Sequence, residues 1–381
     1  MDFDFTWLLW GLPLAFAAGW GASRLDLRQW RMESRQAPKA YFRGLNHLLN
    51  EQQDQAIDAF IEAVQGDPDT AELHFALGNL FRRRGDYDRA VRVHEHLLSR
   101  ADLSNKDRDR AQHALALDFL KAGLLDRAEA ALNKLQGSAF EGEALLALLG
   151  IYERSRDWAH AGVIAERLET AEQGSFSPRL AHYLCEQAEI AQRSGDAAGA
   201  LKLLEDAVQR APQLARGWMA LAALRAQTGH ASSAFDALVQ LNHHAPQYLP
   251  LAAQQFAVLA IQCGRETEAV AVLQNSHERA ASVDVTEALA TLSPDPQAAR
   301  ARYLNHLERE PSLVITSQWL AGETLSDASA QEHVKRALDQ ACGPLKRYRC
   351  AACGFEARQH FWQCPGCQAW DSYPARRVEE L

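Results

Sequence analysis

The sequence predicts an all-α repeat superhelix, preceded by an N-terminal transmembrane helix and followed by a small C-terminal metal-binding ribbon. Three observations predict this architecture: an uncharged apolar stretch near the N-terminus, a motif that recurs about every 34 residues, and two Cys-x-x-Cys pairs near the C-terminus. The chain has 381 residues, of which 47% are hydrophobic and 23% are charged. This composition is typical of a folded protein, and the length leaves room for more than one domain.

The apolar stretch spans residues 5–23, which carry no charged side chain. As a helix it would rise about 28 Å, at about 1.5 Å per residue, which is close to the thickness of a bilayer core. Trp7 and Trp20 lie near its two ends, where aromatic residues meet the lipid headgroups. We therefore expect residues 1–23 to form a single transmembrane anchor.

Charges on either side of this stretch predict its orientation. Asp2 and Asp4 precede it, whereas four arginines follow it: Arg24, Arg28, Arg31 and Arg35. The positive-inside rule places the C-terminal side in the cytoplasm, with residues 24–36 as a basic juxtamembrane segment against anionic headgroups. A cleaved signal peptide is the alternative, but no Lys or Arg precedes the apolar stretch, as such peptides require.

A repeating pattern of alanines fills the middle of the chain. The alanines are spaced by 34, 38, 33, 39, 34 and 35 residues: Ala56, Ala90, Ala128, Ala161, Ala200, Ala234 and Ala269. Five of them end a Gly-Asp-Tyr-x-x-Ala-like corner, and a small or slender residue stands twelve positions before each one. This segment resembles tetratricopeptide repeats, whose period is about 34 residues. The resemblance covers about 240 residues and implies paired helices over residues 37–280, stacked into a right-handed superhelix.

A concave surface is what this family uses to bind a peptide or protein partner. In the repeat register, the groove-facing positions include Asn79, Arg82, Arg83 and Arg193, although each also suits a solvated helix face. Beyond the repeats, residues 281–343 are either a degenerate eighth repeat or a helical cap.

The charge distribution and the motifs argue against several function classes. The net charge is −9, and residues 44–343 hold 28 basic and 41 acidic residues. Because phosphate contacts need a basic face, an acidic body argues against general nucleic-acid binding. The patterns GxxxxGK[ST], GxGxxG, HExxH and GxSxG do not occur, so the sequence does not indicate an enzyme.

Four cysteines near the C-terminus form the strongest chemical signal. Cys350 and Cys353 make one Cys-x-x-Cys pair, and Cys364 and Cys367 make a second pair after ten intervening residues. Four thiolates can close around one metal ion, either zinc or iron, and such closed sites are structural. Two disulfides are the alternative, but a total of seven cysteines and a cytoplasmic location favour a metal, with zinc preferred over iron. We expect residues 344–381 to be this metal-binding domain.

The order of these parts, together with residues 348–355 and 362–370 around the cysteine pairs, resembles the lipopolysaccharide assembly protein B family of Gram-negative bacteria. The resemblance covers essentially the whole chain. It implies a rubredoxin-like ribbon in which Cys350, Cys353, Cys364 and Cys367 are the metal ligands. It also implies a single-pass inner-membrane adaptor, without enzymatic activity, whose repeats and metal domain lie on the cytoplasmic side.

The same resemblance implies partners. Such adaptors couple an FtsH-type AAA+ membrane protease to the lipid A deacetylase, so that the deacetylase is degraded and lipopolysaccharide synthesis is balanced. A lipopolysaccharide-sensing inner-membrane protein and lipopolysaccharide assembly proteins are further implied partners, and a homodimer is compatible with the sequence. The alternatives are a scaffold for assembly or export enzymes with no role in proteolysis, and a nucleic-acid or redox module.

Overall fold

The computed structural model describes residues 15–17, 19–20, 39–66, 70–171, 174–323 and 328–381. It divides into two compact units, Met1–Arg156 and Asp157–Leu381. The expected anchor over residues 1–23 lies outside the described residues, apart from residues 15–17 and 19–20, which are helical. The basic segment 24–36 also lies outside them. No described helix has both the length and the apolar character that crossing a bilayer requires.

The first unit is a series of helices in which chain neighbours pack against each other. Helix α1 covers residues 39–49, and its successors are α2 (Gln53–Gly66), α3 (Ala71–Arg84), α4 (Tyr87–Ser99), α5 (Asn105–Lys121), α6 (Leu125–Asn133) and α7 (Glu141–Ser155). Helix α3 also contacts α5, as stacked helical hairpins require.

The second unit continues with helices and ends in the ribbon. Its helices are α8 (Trp158–Thr170), α9 (Ser177–Arg193), α10 (Ala197–Arg210), α11 (Ala215–Gln227), α12 (Ala231–His244), α13 (Leu249–Cys263), α14 (Glu266–Arg279), α15 (Val283–Thr291), α16 (Pro296–Arg309), α17 (Leu313–Ala321) and α18 (Ala328–Leu345). The ribbon follows with an antiparallel pair, β1 (Tyr348–Arg349) and β2 (Glu356–Ala357). The described residues 281–323 and 328–343 form four further helices, the last of which reaches Leu345.

Each hairpin corner has one residue in the left-handed backbone region, five positions before its repeat alanine. Five of these corner residues are glycines, and the other two are Glu51 (φ 58°) and Arg156 (φ 57°). At Gly85, φ is 87° and the next N–H, of Asp86, donates to the carbonyl of Phe81 at 2.8 Å. This arrangement ends one helix and reverses the chain into the next. The glycines are Gly85, Gly123, Gly195, Gly229 and Gly264.

The seven repeat alanines are fully buried, each with 0% exposure. Small residues on the preceding helix let the paired helices approach this closely. At Gly78 an added Cβ would lie 2.5 Å from Nε2 of His94, and at Gly44 it would lie 2.7 Å from the Phe60 ring. The period of small residues in the sequence thus corresponds to close helix packing.

Replacing Gly78 by Ala should destabilise the first unit by about 1–3 kcal/mol through overpacking. His94 cannot move aside easily, because its ring is buried and bonded to Asp118 at 2.5 Å. Gly150, within α7, is the matched control, since no atom lies within 4 Å of an added Cβ there. Gly150→Ala should therefore stabilise by about 0.5–1 kcal/mol. Hydrogen exchange in α3 and α7 measures both changes in stability. Stability changes of the same sign in the two variants would contradict the packing argument.

Candidate metal centre

Two similar loops, fourteen residues apart, hold the four cysteines. In the first, the N–H of Gly354 donates to the carbonyl of Cys350 at 2.9 Å, and the N–H of Cys350 donates to Phe355 at 2.9 Å. In the second, Gln368 donates to Cys364 at 2.8 Å, and Cys364 donates to Ala369 at 2.9 Å. Each loop therefore turns its two cysteines toward the same point.

The second loop closes with a glutamine where the first has a glycine. Gly354 has φ 78° and Gln368 has φ 62°, so both residues are left-handed. The two loops therefore differ in residue type at this position but share the same backbone conformation. A side chain in this region costs roughly 1 kcal/mol relative to glycine.

Replacing Gln368 by Gly should stabilise the ribbon by about 0.5–1 kcal/mol, because it removes this backbone strain. The opposite exchange, Gly354→Gln, should destabilise it, since it introduces the same strain into the first loop. Competition with a zinc chelator measures both as changes in metal retention. A Gln368→Gly protein that loses metal faster than the wild type would contradict the prediction.

The four sulfur atoms lie within 4.8 Å of one another. Sγ of Cys350 is 3.9 Å from Sγ of Cys367, and Sγ of Cys353 is 3.7 Å from Sγ of Cys364. A tetrahedral zinc with bonds of about 2.3 Å requires sulfur separations of about 3.8 Å. The four cysteines therefore fit one tetrahedral metal ion, and a thiolate set suits zinc or iron. When bound, the ion would crosslink the two loops.

The electrostatics of the cluster also fit a cation. Burial raises the pKa of Cys350, but hydrogen bonds from the Ser372 hydroxyl and the backbone N–H of Cys353 have the larger opposite effect. The net pKa is lowered to about 6. Burial likewise raises the pKa of Cys364, whereas N–H groups of its own loop give a net lowering. At Cys353 the N–H of Phe355 lowers the pKa, but burial and the other three sulfurs raise it to about 12. Four thiolates thus repel one another unless a metal cation balances their charge.

One side of the ribbon docks on helices α8 and α9. Nε2 of His182 lies 2.9 Å and 3.0 Å from the two carboxylate oxygens of Asp371. The ring of Trp370 stacks on His182 with centroids 4.4 Å apart, and Trp158 and Tyr183 meet its edge. Burial lowers the pKa of His182 by more than Asp371 raises it, so the net pKa lies below 6.5. The ring is therefore neutral near pH 7 and donates from Nε2 to Asp371.

The C-terminal residues dock on α15 and α17. Arg377 forms a two-pronged ion pair with Asp284 at 2.6 Å and 2.9 Å. Glu380 accepts the N–H of Val283 at 2.6 Å, at the start of α15. Glu379 accepts the N–H groups at the start of α17, including that of Val314 at 3.1 Å. Carboxylates at helix N-termini satisfy donors that the helix leaves unpaired, so these contacts join the ribbon to the helices.

The aromatic side chains of the ribbon mostly serve this docking and the ribbon core. Tyr348 and Tyr373 are buried, and Trp362 packs against Tyr248 with ring centroids 5.7 Å apart. Phe355 differs, since 44% of its surface is exposed. The aromatic cluster is thus chiefly a small core, as a domain of this size requires.

Two of the expected groove residues, Asn79 and Arg82, have partners within the first unit. Arg82 donates to the buried carboxylate of Asp118 at 2.8 Å and to the carbonyl of Ala114 at 3.0 Å. It also donates to the side-chain oxygen of Asn79 at 2.5 Å, while His94 contacts the other oxygen of Asp118. The Arg82 side chain is only 19% exposed. Arg82 and Asn79 therefore have a structural role in joining α3 to α5.

The other two expected groove residues lie on the surface. Arg83 is exposed near the end of α3. Arg193 ends α9, is 76% exposed and pairs with Glu189 one helical turn earlier at 3.2 Å. An exposed pair of this kind adds little stability, so both guanidinium groups remain accessible to a partner.

Sequence reasoning missed the helical residues that receive the ribbon. His182 and Asp371 are 189 positions apart, and Asp284 and Arg377 are 93 apart. His182 and Asp284 match no motif, and they lie within helices α9 and α15. Only the three-dimensional packing brings them to the ribbon.

Two family models match the chain. The rubredoxin metal binding domain matches residues 348–373, which contain all four cysteines, and the tetratricopeptide repeat matches residues 73–109. A solved tetratricopeptide repeat protein from Parabacteroides merdae is 14% identical, over 67% of this chain and 98% of its own, with a TM-score of 0.34.

Curated relatives match almost the full chain. Lipopolysaccharide assembly protein B of Escherichia coli (strain K12) is 31% identical over 382 residues, which are 97% of this chain and 98% of that protein. Lipopolysaccharide assembly protein B of Haemophilus influenzae is 27% identical, over 95% and 96% of the two chains. The match runs through both the repeat helices and the ribbon, and the chain belongs to the lipopolysaccharide assembly protein B family.

Proposed function

We propose that this protein is a non-enzymatic inner-membrane adaptor that regulates lipopolysaccharide synthesis. In this proposal it promotes degradation of the lipid A deacetylase by an FtsH-type AAA+ protease. The observation that carries the proposal is the 31% identity to lipopolysaccharide assembly protein B over 97% of the chain. Repeat helices of this type and a closed four-cysteine site suit binding and support rather than catalysis.

The docking of the ribbon supports a recognition role. Ionic contacts at Asp284 and stacking at His182 fix the ribbon at two separate places on the helices of the second unit. A partner would therefore meet ribbon and helices as one preorganised surface, which lowers the entropy lost on binding. The exposed Phe355, beside the exposed Cys353 and Cys367, is the part of the ribbon that we assign to a partner.

Membrane anchoring completes the proposal. Residues 1–23 would hold the chain in the inner membrane, with the repeats, residues 37–280, and the ribbon, residues 344–381, in the cytoplasm. An adaptor and a protease in the same membrane meet at a raised effective concentration without new contacts. The accessible Arg83 and Arg193 would then contribute to recruitment of the deacetylase, and a lipopolysaccharide-sensing protein would oppose it.

Co-purification from membranes tests this role against that of a scaffold for assembly enzymes. We expect the wild-type protein to recover both the FtsH-type protease and the deacetylase. A form that ends before residue 344 should lose the deacetylase, because it lacks the ribbon. Recovery of transport and biosynthetic enzymes without the protease, from membranes that contain it, would contradict the adaptor and favour the scaffold.

We also propose that the resident metal is zinc. Metal analysis of the purified protein should find one zinc per chain and a colourless solution. A red, iron-containing protein would instead favour a redox module, since iron in a four-thiolate site can carry an electron.

A further inference from the structure

A cavity of about 270 Å³ lies where the ribbon meets helices α13 to α15. Its walls come from the turn before α13, from the end of α14 with the following turn, and from the ribbon. Pro246, Pro250, Ala280 and Ala281 make the apolar part of the wall, and Arg279, Ser282 and Arg376 make its polar part. Sites for small ligands combine apolar walls with a few converging polar groups in this way.

Arg376 is the feature that points to a ligand. It is half-buried, yet it makes no hydrogen bond or ion pair within the part of the chain that the structure describes. Its neighbour Arg377, also half-buried, has its guanidinium paired with Asp284. A guanidinium presents five N–H donors, and those of Arg376 remain free to bind a ligand in the cavity.

The nearby acidic groups do not pair with Arg376. Asp284 is held by Arg377, and Glu380 accepts the N–H groups of Val283 and Arg377. Arg279 donates its Nε to Asn275 at 3.0 Å, and within the described residues its terminal nitrogens have no acidic partner. Two guanidinium groups therefore line one cavity without a counter-ion from the protein.

Ser282 also lines the cavity, but its side chain is only 3% exposed and its hydroxyl lies next to Glu380. The cavity therefore combines two cationic groups with an apolar wall.

We propose that this cavity binds a phosphate group carried on a small organic body. A phosphate offers three or more acceptor oxygens, which suits two guanidinium groups better than the two oxygens of a carboxylate. The apolar wall gives the organic part a surface, and 270 Å³ exceeds what a bare phosphate fills. The phosphate is either that of a soluble metabolite or that of a lipid headgroup.

Calorimetric titration of the full-length protein in detergent with glycerol 3-phosphate and with acetate tests the soluble source. We expect binding of the phosphate ester that Arg376→Gln weakens at least about tenfold, because a charge-assisted contact is lost. Arg358→Gln is the matched control, since Arg358 is an exposed ribbon arginine outside the cavity. Since Arg376 has no protein partner, its variant should keep the wild-type metal content and melting temperature.

Flotation with vesicles tests the lipid source. Protein that is inserted into vesicles through its N-terminal segment would float whether or not the cavity binds lipid. The vesicles are therefore added to protein kept in detergent, and flotation is compared between vesicles with and without phosphatidic acid. Phosphatidic-acid binding that is lost in Arg376→Gln, without binding of glycerol 3-phosphate, assigns the site to a lipid headgroup. Three results would overturn the proposal: no binding of either ligand, an equal loss of binding in Arg358→Gln, or tighter binding of acetate than of the phosphate ester.

Discussion

Replacing Cys364 by Ser should abolish stable metal binding and unfold the ribbon, while helices α9 to α14 keep their structure. Cys364 is 1% exposed, and its sulfur lies 3.7 Å from that of Cys353. A structural zinc site contributes on the order of 10 kcal/mol to the folding of its domain, and the loss of one thiolate removes most of that. Zinc stoichiometry and hydrogen exchange in residues 346–375 measure the two effects.

The control for this experiment is Cys263→Ser. Cys263 ends α13, lies outside the cluster, and donates its S–H to the carbonyl of Leu259 at 2.7 Å. A serine hydroxyl can make the same bond, so metal content and ribbon exchange should match those of the wild type. If Cys364→Ser still held one zinc per chain, Cys364 would not be a ligand and the four-sulfur assignment would be wrong.

Replacing Arg377 by Ala should free the C-terminal end of the ribbon and destabilise the second unit by about 2–4 kcal/mol, somewhat less than the loss of a fully buried pair. The substitution removes the ion pair with Asp284 and the bond to the carbonyl of Lys346 at 2.7 Å. It also removes the guanidinium from the face of Tyr348, where it lies 4.5 Å from the ring centroid. Urea unfolding, followed by hydrogen exchange at the start of α15, measures the change.

The loss at Arg377 should grow with pH. Burial raises the pKa of Glu287 and of Glu380 above 4.5, and Asp284 raises both further. The folded state then binds more protons than the unfolded state, so stability falls as the pH rises from about 4.5 through the raised values. Arg377 and Lys346 both offset this repulsion at Glu287, and the substitution removes the first of these two cations. The variant should therefore lose more stability at about pH 7.5 than at about pH 5.5.

Arg336→Ala is the matched control for Arg377→Ala. Arg336 also pairs with a carboxylate, that of Glu332 at 2.9 Å, but the two side chains are 68% and 74% exposed. An exposed pair of this kind on a helix is worth at most about 0.5 kcal/mol. Equal losses in the two variants, or a loss at Arg377 that shrinks as the pH rises, would contradict the role of this ion pair.

The repeat pattern could be predicted from the sequence because every repeat has the same packing requirement. An alanine is needed wherever two helices approach closely, so the seven alanines recur, and the structure buries all of them. The corners that end at Ala56 and Ala234 match the motif more weakly, yet Glu51 and Gly229 in them adopt the same left-handed conformation. The stretch from Leu313 to Thr316 is rich in β-branched residues, yet it begins helix α17, whose first N–H groups bind Glu379. Tertiary contact there outweighs local preference.

The metal cluster could be predicted from spacing alone, because two Cys-x-x-Cys loops are local structures. The docking of the ribbon could not, since it depends on pairs such as His182 with Asp371 that no spacing rule connects. The roles of Asn79 and Arg82 were equally inaccessible. A repeat register places them near a groove, but only the position of Asp118 on α5 explains why they turn toward each other.

The half-life of the lipid A deacetylase in living cells tests the central proposal most directly. The protein would be depleted in a lipopolysaccharide-producing host, and the wild type or Cys364→Ser would be supplied from a plasmid. Depletion should lengthen the half-life of the deacetylase, the wild type should restore rapid degradation, and Cys364→Ser should fail to do so at equal protein level. A deacetylase half-life that is unchanged by depletion would contradict the proposed role as an adaptor for proteolysis.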